Sequence, residues 1–343
     1  MSFVYIRSQM PLTPMRKKLI YFFLLFGGFS LLYFLGPSPT PPQVPALPVA
    51  VPYVGHELDL WVQSKEKQNK AIKPGNEARI VWHDSLTKEK TPISFVYIHG
   101  FSASGEEGAP VHRQVAKRYR SNLYIARLAG HGLDQGDQTF QDLTADQLLT
   151  SAEEALAIGK QLGDRVIVIG TSMGGALTTY LAAHHPEIYA IVLYSPCIEI
   201  FDPNAKLIDN PWGLSLARAI KGSSHNDIPP TNAQHQAYWS LHYRLEGVQA
   251  LQNFLTHAMV PSTFAQVTCP TFMGYYYRDE ENQDKVVSVP AMLQMFDQLG
   301  SQNKEKRAFP TAGNHVLASY VLSQDYTSVE QGTTQFLDRI LGL

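Results

Sequence analysis

The apolar run Val166–Ile169 leads without a break into Gly170-Thr171-Ser172-Met173-Gly174-Gly175, and then into a helical stretch opening Ala176-Leu177. A strand that turns into a helix at one glycine-rich corner constrains the chain severely, because the helix has to pack back on the sheet to which the strand belongs. The spacing G-x-S-x-G sets one serine at that corner, and the flanking glycines remove the side chains that would crowd a sharp turn. The new helix also points its first N–H groups at negative charge developing beside the serine. An ordinary βα turn accounts for the glycines alone. Strand before, helix after and a doubled glycine together mark Ser172 as a candidate nucleophile.

Around this corner the chain alternates short β-branched or aromatic runs with longer helical stretches, the pattern of a mainly parallel sheet with helices on both faces. Strands are expected at Arg79–His83, Ile93–His99, Leu123–Arg127, Val166–Gly170, Ala190–Ser195, Thr271–Tyr277 and Lys306–Pro310. Helices are expected near 110–120, 144–162, 174–185, 290–299 and 325–341. Between Ser195 and Thr271 the rhythm fails: no convincing strand is present, and a helical stretch runs from Ala233 to His257. The expectation is an inserted helical cap over about 199–262.

Composition narrows the function classes. With 28 Lys plus Arg against 30 Asp plus Glu the net charge is −2, which argues against nucleic-acid binding. Hydrophobic residues at 44% and charged residues at 17% suit a folded core, not a disordered chain. Cys197 and Cys269 make neither a disulfide framework nor a thiolate cluster, and no H-E-x-x-H or C-x-x-C is present. No metal and no cofactor is expected. The two cysteines lie at opposite ends of their strands, so they are expected to stay unpaired, Cys269 as a small buried hydrophobe and Cys197 bordering the pocket.

The N-terminus reads differently. Arg16, Lys17 and Lys18 precede an uncharged run, Leu19 to Leu35, whose 17 residues span roughly 26 Å as a helix. This is expected to be an uncleaved transmembrane signal anchor, with residues 1–18 as a short cytoplasmic tail and everything after it outside the cytoplasm. Val44-Pro45-Ala46 is a weak cleavage site, and cleavage there with secretion is the alternative. Residues 36–52 hold seven prolines and form a semi-rigid linker to a folded domain spanning 53–343.

A second chemical element follows the strand Ile93–Ile98, in His99-Gly100-Phe101-Ser102-Ala103-Ser104. Acyl transfer develops an oxyanion that needs two fixed donors, one from the residue after the nucleophile and one from the loop after an earlier strand. The backbone N–H groups of Met173 and Phe101 are the candidates.

His99-Gly100-Phe101, Gly130-His131-Gly132 and Gly170-Thr171-Ser172-Met173-Gly174 together resemble the α/β-hydrolase superfamily, most of all its carboxylesterase and monoacylglycerol-lipase-like branch. The resemblance covers nearly everything after the linker. It implies an α/β-hydrolase fold with an inserted cap, a Ser-acid-His order, no metal, and hydrolysis of carboxylic esters. It places the base on a loop after the last strand, where Ala312-Gly313-Asn314-His315-Val316 offers His315. The acid sits in the family just before a short apolar pair and the next helix. Asp284-Lys285-Val286-Val287 matches that arrangement, with Asp279, nearer the strand end, as the other candidate in a loop longer than usual. The implied partners are a small-molecule ester, lipids included, and the membrane through the N-terminal helix. The stretch Ala237–Tyr243 with Phe254 and Leu255 either lines the substrate pocket or packs the cap to the core. A thioesterase, amidase or acyltransferase would use the same groups, and a membrane-anchored binding protein could keep the fold without the reaction.

Overall fold

A computed structural model of the chain describes residues 14–43 and 50–343. The strands are β1 (Arg79–Val81), β2 (Thr91–Ile98), β3 (Asn122–Ile125), β4 (Gly163–Thr171), β5 (Ala190–Tyr194), β6 (His225–Asp227), β7 (His242–Arg244), β8 (Thr271–Tyr275) and β9 (Lys304–Ala308). Seven of them form one sheet in the order β1-β3-β2-β4-β5-β8-β9, parallel throughout except for β1, which runs antiparallel to β3. All seven expected strands are present, and Arg79–His83 ends early at Val81.

The helices are α1 (Pro14–Phe34), α2 (Gly55–Gln68), α3 (Val111–Arg118), α4 (Ala145–Leu162), α5 (Met173–His184), α6 (Gly213–Lys221), α7 (Ala233–Tyr238), α8 (Leu245–Ala258), α9 (Pro261–Gln266), α10 (Val289–Gln298) and α11 (Tyr326–Leu341). A continuous apolar strand buries both faces, and the alternation of side chains sends successive residues to opposite layers. Val166 and Val168 of β4 join the cluster containing α4 and α5, whereas Ile167 and Ile169 join the one containing α3 and α11. Strand β2 divides the same way, with Val96 and Ile98 on one side and Phe95 and Tyr97 on the other. α4 starts at a capping box between Thr144 and Gln147, which satisfies two of the N–H groups a helix start leaves open.

Two features of the insertion depart from expectation. The stretch Ala233–His257 is not one helix: it breaks after Tyr238, where Trp239 is extended and the Ser240 N–H donates to Ser102 O at 2.7 Å. A strand pair also exists there, since β6 and β7 form a small antiparallel sheet. Donors that would have continued the helix found partners outside it, so tertiary contacts override helix propensity. Phe254 and Leu255 on α8 are buried in the core, Phe254 edge-on to Tyr180 of α5, and so pack the insertion onto the sheet.

Helix α2 was not expected. Its inner face carries Asp59 and Glu66 beside Leu58 and Val62, which disguises the apolar stripe. Asp59 pairs with Lys88 at 2.6 Å, and Glu66 accepts from Arg127 and from the Ala78 N–H. Val51, in the proline-rich linker, is 5% exposed and belongs to the core, so the folded body begins before Tyr53. α1 is apolar beyond its basic first turns and is largely exposed at its described side chains, and at 21 residues it is long enough to cross a membrane. Residues 1–13 of the tail and the Val44-Pro45-Ala46 site lie outside the described residues.

Candidate active site

Ser172 sits between the end of β4 and the first residue of α5 with φ 54° and ψ −119°. A non-glycine residue at positive φ costs about 1–3 kcal/mol and persists only where its surroundings impose it. Here the Ser172 N–H donates to Tyr194 O at 2.9 Å, and its C=O accepts from Cys197 N at 2.9 Å and Ala176 N at 3.1 Å. The end of β5 therefore braces the turn from both sides. Gly174 allows the helix to approach β2, since a Cβ there would lie 2.0 Å from Ile98 O. The elbow and the loop after β2 are thereby brought side by side. Met173, as the first residue of α5, has an N–H with no intrahelical acceptor.

The loop after β2 is held by a buried histidine and by its own backbone. Gly100 C=O is bonded by His99 Nδ1 at 2.8 Å and by the Ala103 N–H at 3.3 Å. His99 Nε2 accepts the Leu128 N–H at 3.1 Å, which leaves the proton on Nδ1. Burial holds this imidazole neutral, its pKa down to about 4. With that C=O pinned, planarity of the trans peptide directs the Phe101 N–H the opposite way.

His315 and Asp284, far apart in sequence, meet in space: His315 Nδ1 bonds Asp284 Oδ2 at 2.5 Å, with the residues 9% and 1% exposed. Burial alone would raise the Asp284 pKa. The positive charge of His315, its hydrogen bond and the N–H groups of Val286 and Val287 outweigh this and hold it below the usual carboxylate range. Burial likewise pulls His315 down, but Asp284 and then Glu107 outweigh it and hold the imidazole above its ordinary value. Its Nε2 is buried without a hydrogen-bond partner among the described residues and makes no bond to Ser172, a contact that in unliganded enzymes often tightens only with substrate.

Asp279 is not brought to the histidine. It is exposed and accepts from Glu281 N, Asn282 N and Asn282 Nδ2. The reason is a bridge between Tyr277 and Gln283, which pinches the extra length of this loop into a self-contained turn and returns Asp284 N to Tyr276 O at 3.1 Å.

The insertion closes over these groups. Trp239 packs with Ala103 and Val316, neighbours of the loop after β2 and of His315, and Lys73 Nζ donates to Trp239 O at 2.8 Å. Ser172 is left 7% exposed. The clefts beside Val51 and His185 and beside Trp61 and Arg127 include none of the candidate residues. Cys197 and Cys269 are both free and buried, and burial, then the Asp284 charge, push the Cys197 thiol up.

A trio of metal-ligand type, Asp137, His225 and His242, also lies in the insertion and the turn beneath it, with one atom of each within 4.8 Å of the others. Its members are already engaged with one another. His242 bridges Asp137 at 2.9 Å and Asp227 at 2.6 Å, while His225 Nε2 meets Asp137 O at 3.0 Å. This exposed network ties β6 and β7 to the turn at Gly136–Gln138.

A sequence profile described as the alpha/beta hydrolase family matches residues 95–332, more than half of the chain. The chain belongs to the α/β-hydrolase family. Among curated relatives of this α/β hydrolase is the thermostable monoacylglycerol lipase of Bacillus sp. (strain H-257), 36% identical over 115 residues. That match covers 33% of this chain and 44% of the relative, so the chain spans less than half the length of the protein it matches. Solved structures share the fold. A structure described under LipS and LipT, two metagenome-derived lipolytic enzymes, has TM-score 0.63 at 19% identity, over 78% of this chain and 99% of that one. The Paleococcus ferrophilus monoacylglycerol lipase has TM-score 0.55 at 12% identity, over 77% and 98%.

Sequence reading missed Glu107, which the fold buries next to the Gly100 peptide. Its one visible signal is the adjacent acid pair Glu106-Glu107 within an otherwise small and apolar loop.

Proposed function

We propose that the protein is a serine hydrolase that cleaves carboxylic esters through an acyl-enzyme on Ser172. The observation that carries this reading is the buried His315–Asp284 hydrogen bond, with the opposite imidazole nitrogen unpartnered in the same closed site as a serine on a strained elbow. His315 Nε2 takes the Ser172 proton as Oγ bonds to the ester carbonyl carbon, while the N–H groups of Phe101 and Met173 receive the oxyanion. Collapse of the tetrahedral adduct breaks the bond to the alcohol oxygen, and His315 returns the proton to it. Water, deprotonated by His315, then attacks the acyl carbon, the bond to Ser172 Oγ breaks, and His315 returns the proton to Oγ as the acid leaves. Asp284 holds the imidazole tautomer and the charge it acquires.

The substrate in this reading is a lipid ester. α1 is a membrane anchor, and the basic residues Arg16, Lys17 and Lys18 at its N-terminal end, on the cytoplasmic side of the apolar run, leave the hydrolase domain outside the cytoplasm. The insertion supports this, since Trp212, Leu216 and Ile220 form an exposed apolar stripe at i, i+4 and i+8, and Trp212 Nε1 donates to Leu32 O at the end of α1.

The test is a fluorophosphonate label followed by p-nitrophenyl esters of increasing chain length. Wild type labels at Ser172 and turns over esters, and Ser172→Ala loses the label and roughly 10⁵-fold or more of kcat while its Tm stays within a few degrees. Labelling elsewhere, or esterase activity surviving in purified Ser172→Ala, sinks the reading.

A further inference from the structure

Glu107 lies in a short turn after β2, at Gly105–Gly108, and is 2% exposed. Its Oε2 accepts the Gly100 N–H at 2.5 Å and the Tyr97 O–H at 3.1 Å. Tyr97 Oη also lies 3.0 Å from Thr171 Oγ1. A phenol has one hydrogen, so it is shared between two acceptors, the carboxylate and the hydroxyl of the threonine that precedes Ser172. A Cβ on Gly100 would be 2.7 Å from Glu107 Oε1 and 3.0 Å from the Ser172 Cβ, so carboxylate and serine flank the same glycine. Glu106, next in sequence, is differently occupied, pairing with Arg79 and Arg113. A buried carboxylate without a basic partner is costly unless something nearby rewards its charge.

We propose that Glu107 is a positioning residue of the Ser172 site, fixing the Gly100–Phe101 peptide that receives the oxyanion and stabilising the positive charge that His315 takes up during turnover. The proposal rests on the serine-hydrolase reading above. Three contacts hold this stretch of backbone: His99 Nδ1 and the Ala103 N–H fix the C=O of that peptide, and Glu107 fixes the Gly100 N–H of the peptide before it. The titratable groups about the Glu107–Tyr97 pair are His99 next to β2, His112 on α3, Tyr194 on β5 and the His315–Asp284 couple. Burial keeps His99 and His112 neutral, which leaves His315 to supply positive charge. Burial also pushes the Glu107 carboxyl up to about 7, against the Gly100 N–H and the charge of His315. Protonating the imidazole therefore favours ionising the carboxyl, and the ionised carboxyl favours the imidazolium.

Glu107→Gln tests this in the full chain, because the amide oxygen still accepts the Gly100 N–H while the charge is gone. With p-nitrophenyl butyrate, kcat is expected to fall about tenfold with KM within twofold, and the acid limb of kcat/KM to move to lower pH, because an imidazolium without a neighbouring carboxylate gives up its proton more readily. Glu107→Ala also strands the Gly100 N–H and should lose about a hundredfold. If Glu107→Gln does not fold, Tyr97→Phe withdraws one donor from the same carboxyl, favours its neutral form and must shift the limb in the same direction. A kcat and acid limb equal to wild type in a folded Glu107→Gln or Tyr97→Phe protein overturn the proposal, as does a kcat loss with the limb unmoved. Fluorophosphonate labelling of wild-type Ser172 separates the two failures: label present with a silent Glu107 rejects this proposal alone, whereas label absent rejects the serine reading beneath it.

Discussion

Asp284 and Asp279 are five positions apart and chemically identical, yet burial and partners separate them completely. Asp284 is 1% exposed against an imidazole, whereas Asp279 faces solvent and caps its own turn. In the proposed mechanism Asp284→Asn leaves the ring in place but favours the wrong tautomer, so kcat is expected to drop by about 10⁴, while Asp279→Asn stays within twofold. A larger loss at Asp279 would falsify the assignment of the acid. The pH profile tests the same couple. His315 must be neutral to accept the serine proton, and its pKa lies above the ordinary value of 6.5. Activity should therefore fall as pH drops through a midpoint above 6.5, measured as the acid limb of kcat/KM. A limb below 6 would contradict the coupling to Asp284.

At the scale of elements, the site depends on how closely α5 approaches the end of β2. A Cβ on Gly174 would run into Ile98 O and His99 O, both backbone atoms that cannot swing aside. Gly174→Ala must push the helix start away from the sheet, which carries the Met173 N–H and the Ser172 turn with it. The expected cost is about 1–3 kcal/mol in stability by urea denaturation, with a kcat loss exceeding that of the equally buried Ala176→Gly. A Gly174→Ala enzyme with wild-type stability and kcat would show that this contact does not set the elbow. The loop after β8 shows the same logic in reverse. Its bridge between Tyr277 and Gln283 isolates the added residues, so the element can lengthen without displacing Asp284.

At the scale of the molecule, the apolar α1 and the stripe Trp212, Leu216 and Ile220 lie beside one another at the insertion. If the hydrolase takes lipid esters from a bilayer, Leu216→Ser with Ile220→Ser should leave p-nitrophenyl acetate turnover unchanged and reduce hydrolysis of a monoacylglycerol in vesicles several-fold. Equal rates on both substrates would remove the stripe from substrate capture. Truncation belongs to this scale too. A chain starting at Ala50 retains the buried Val51 and should be soluble and active on water-soluble esters, whereas one starting at Tyr53 loses that side chain and about 1.5–3 kcal/mol by thermal or urea denaturation. Fractionation with protease protection checks the proposed orientation.

Local pattern carried most of the architecture. Runs such as Val166–Ile169 are apolar enough to be buried on both faces, and the glycines around Ser172 mark the one corner where strand and helix join, so sheet, layers and candidate nucleophile were all legible in order along the chain. α2 was not, because Glu66 and Asp59 on its buried face are tolerated only through Arg127 and Lys88, partners that no window of sequence contains. The break at Trp239 has the same origin, since the Ser240 N–H is satisfied by Ser102, 138 residues earlier. The spacing of Asp279 and Asp284 left both open as partners for His315, and Glu107 gave no periodic sign at all. Hydrophobic periodicity reports which face of an element is buried, but the environment of a buried charge is made by residues from other elements, and only the folded chain brings those together.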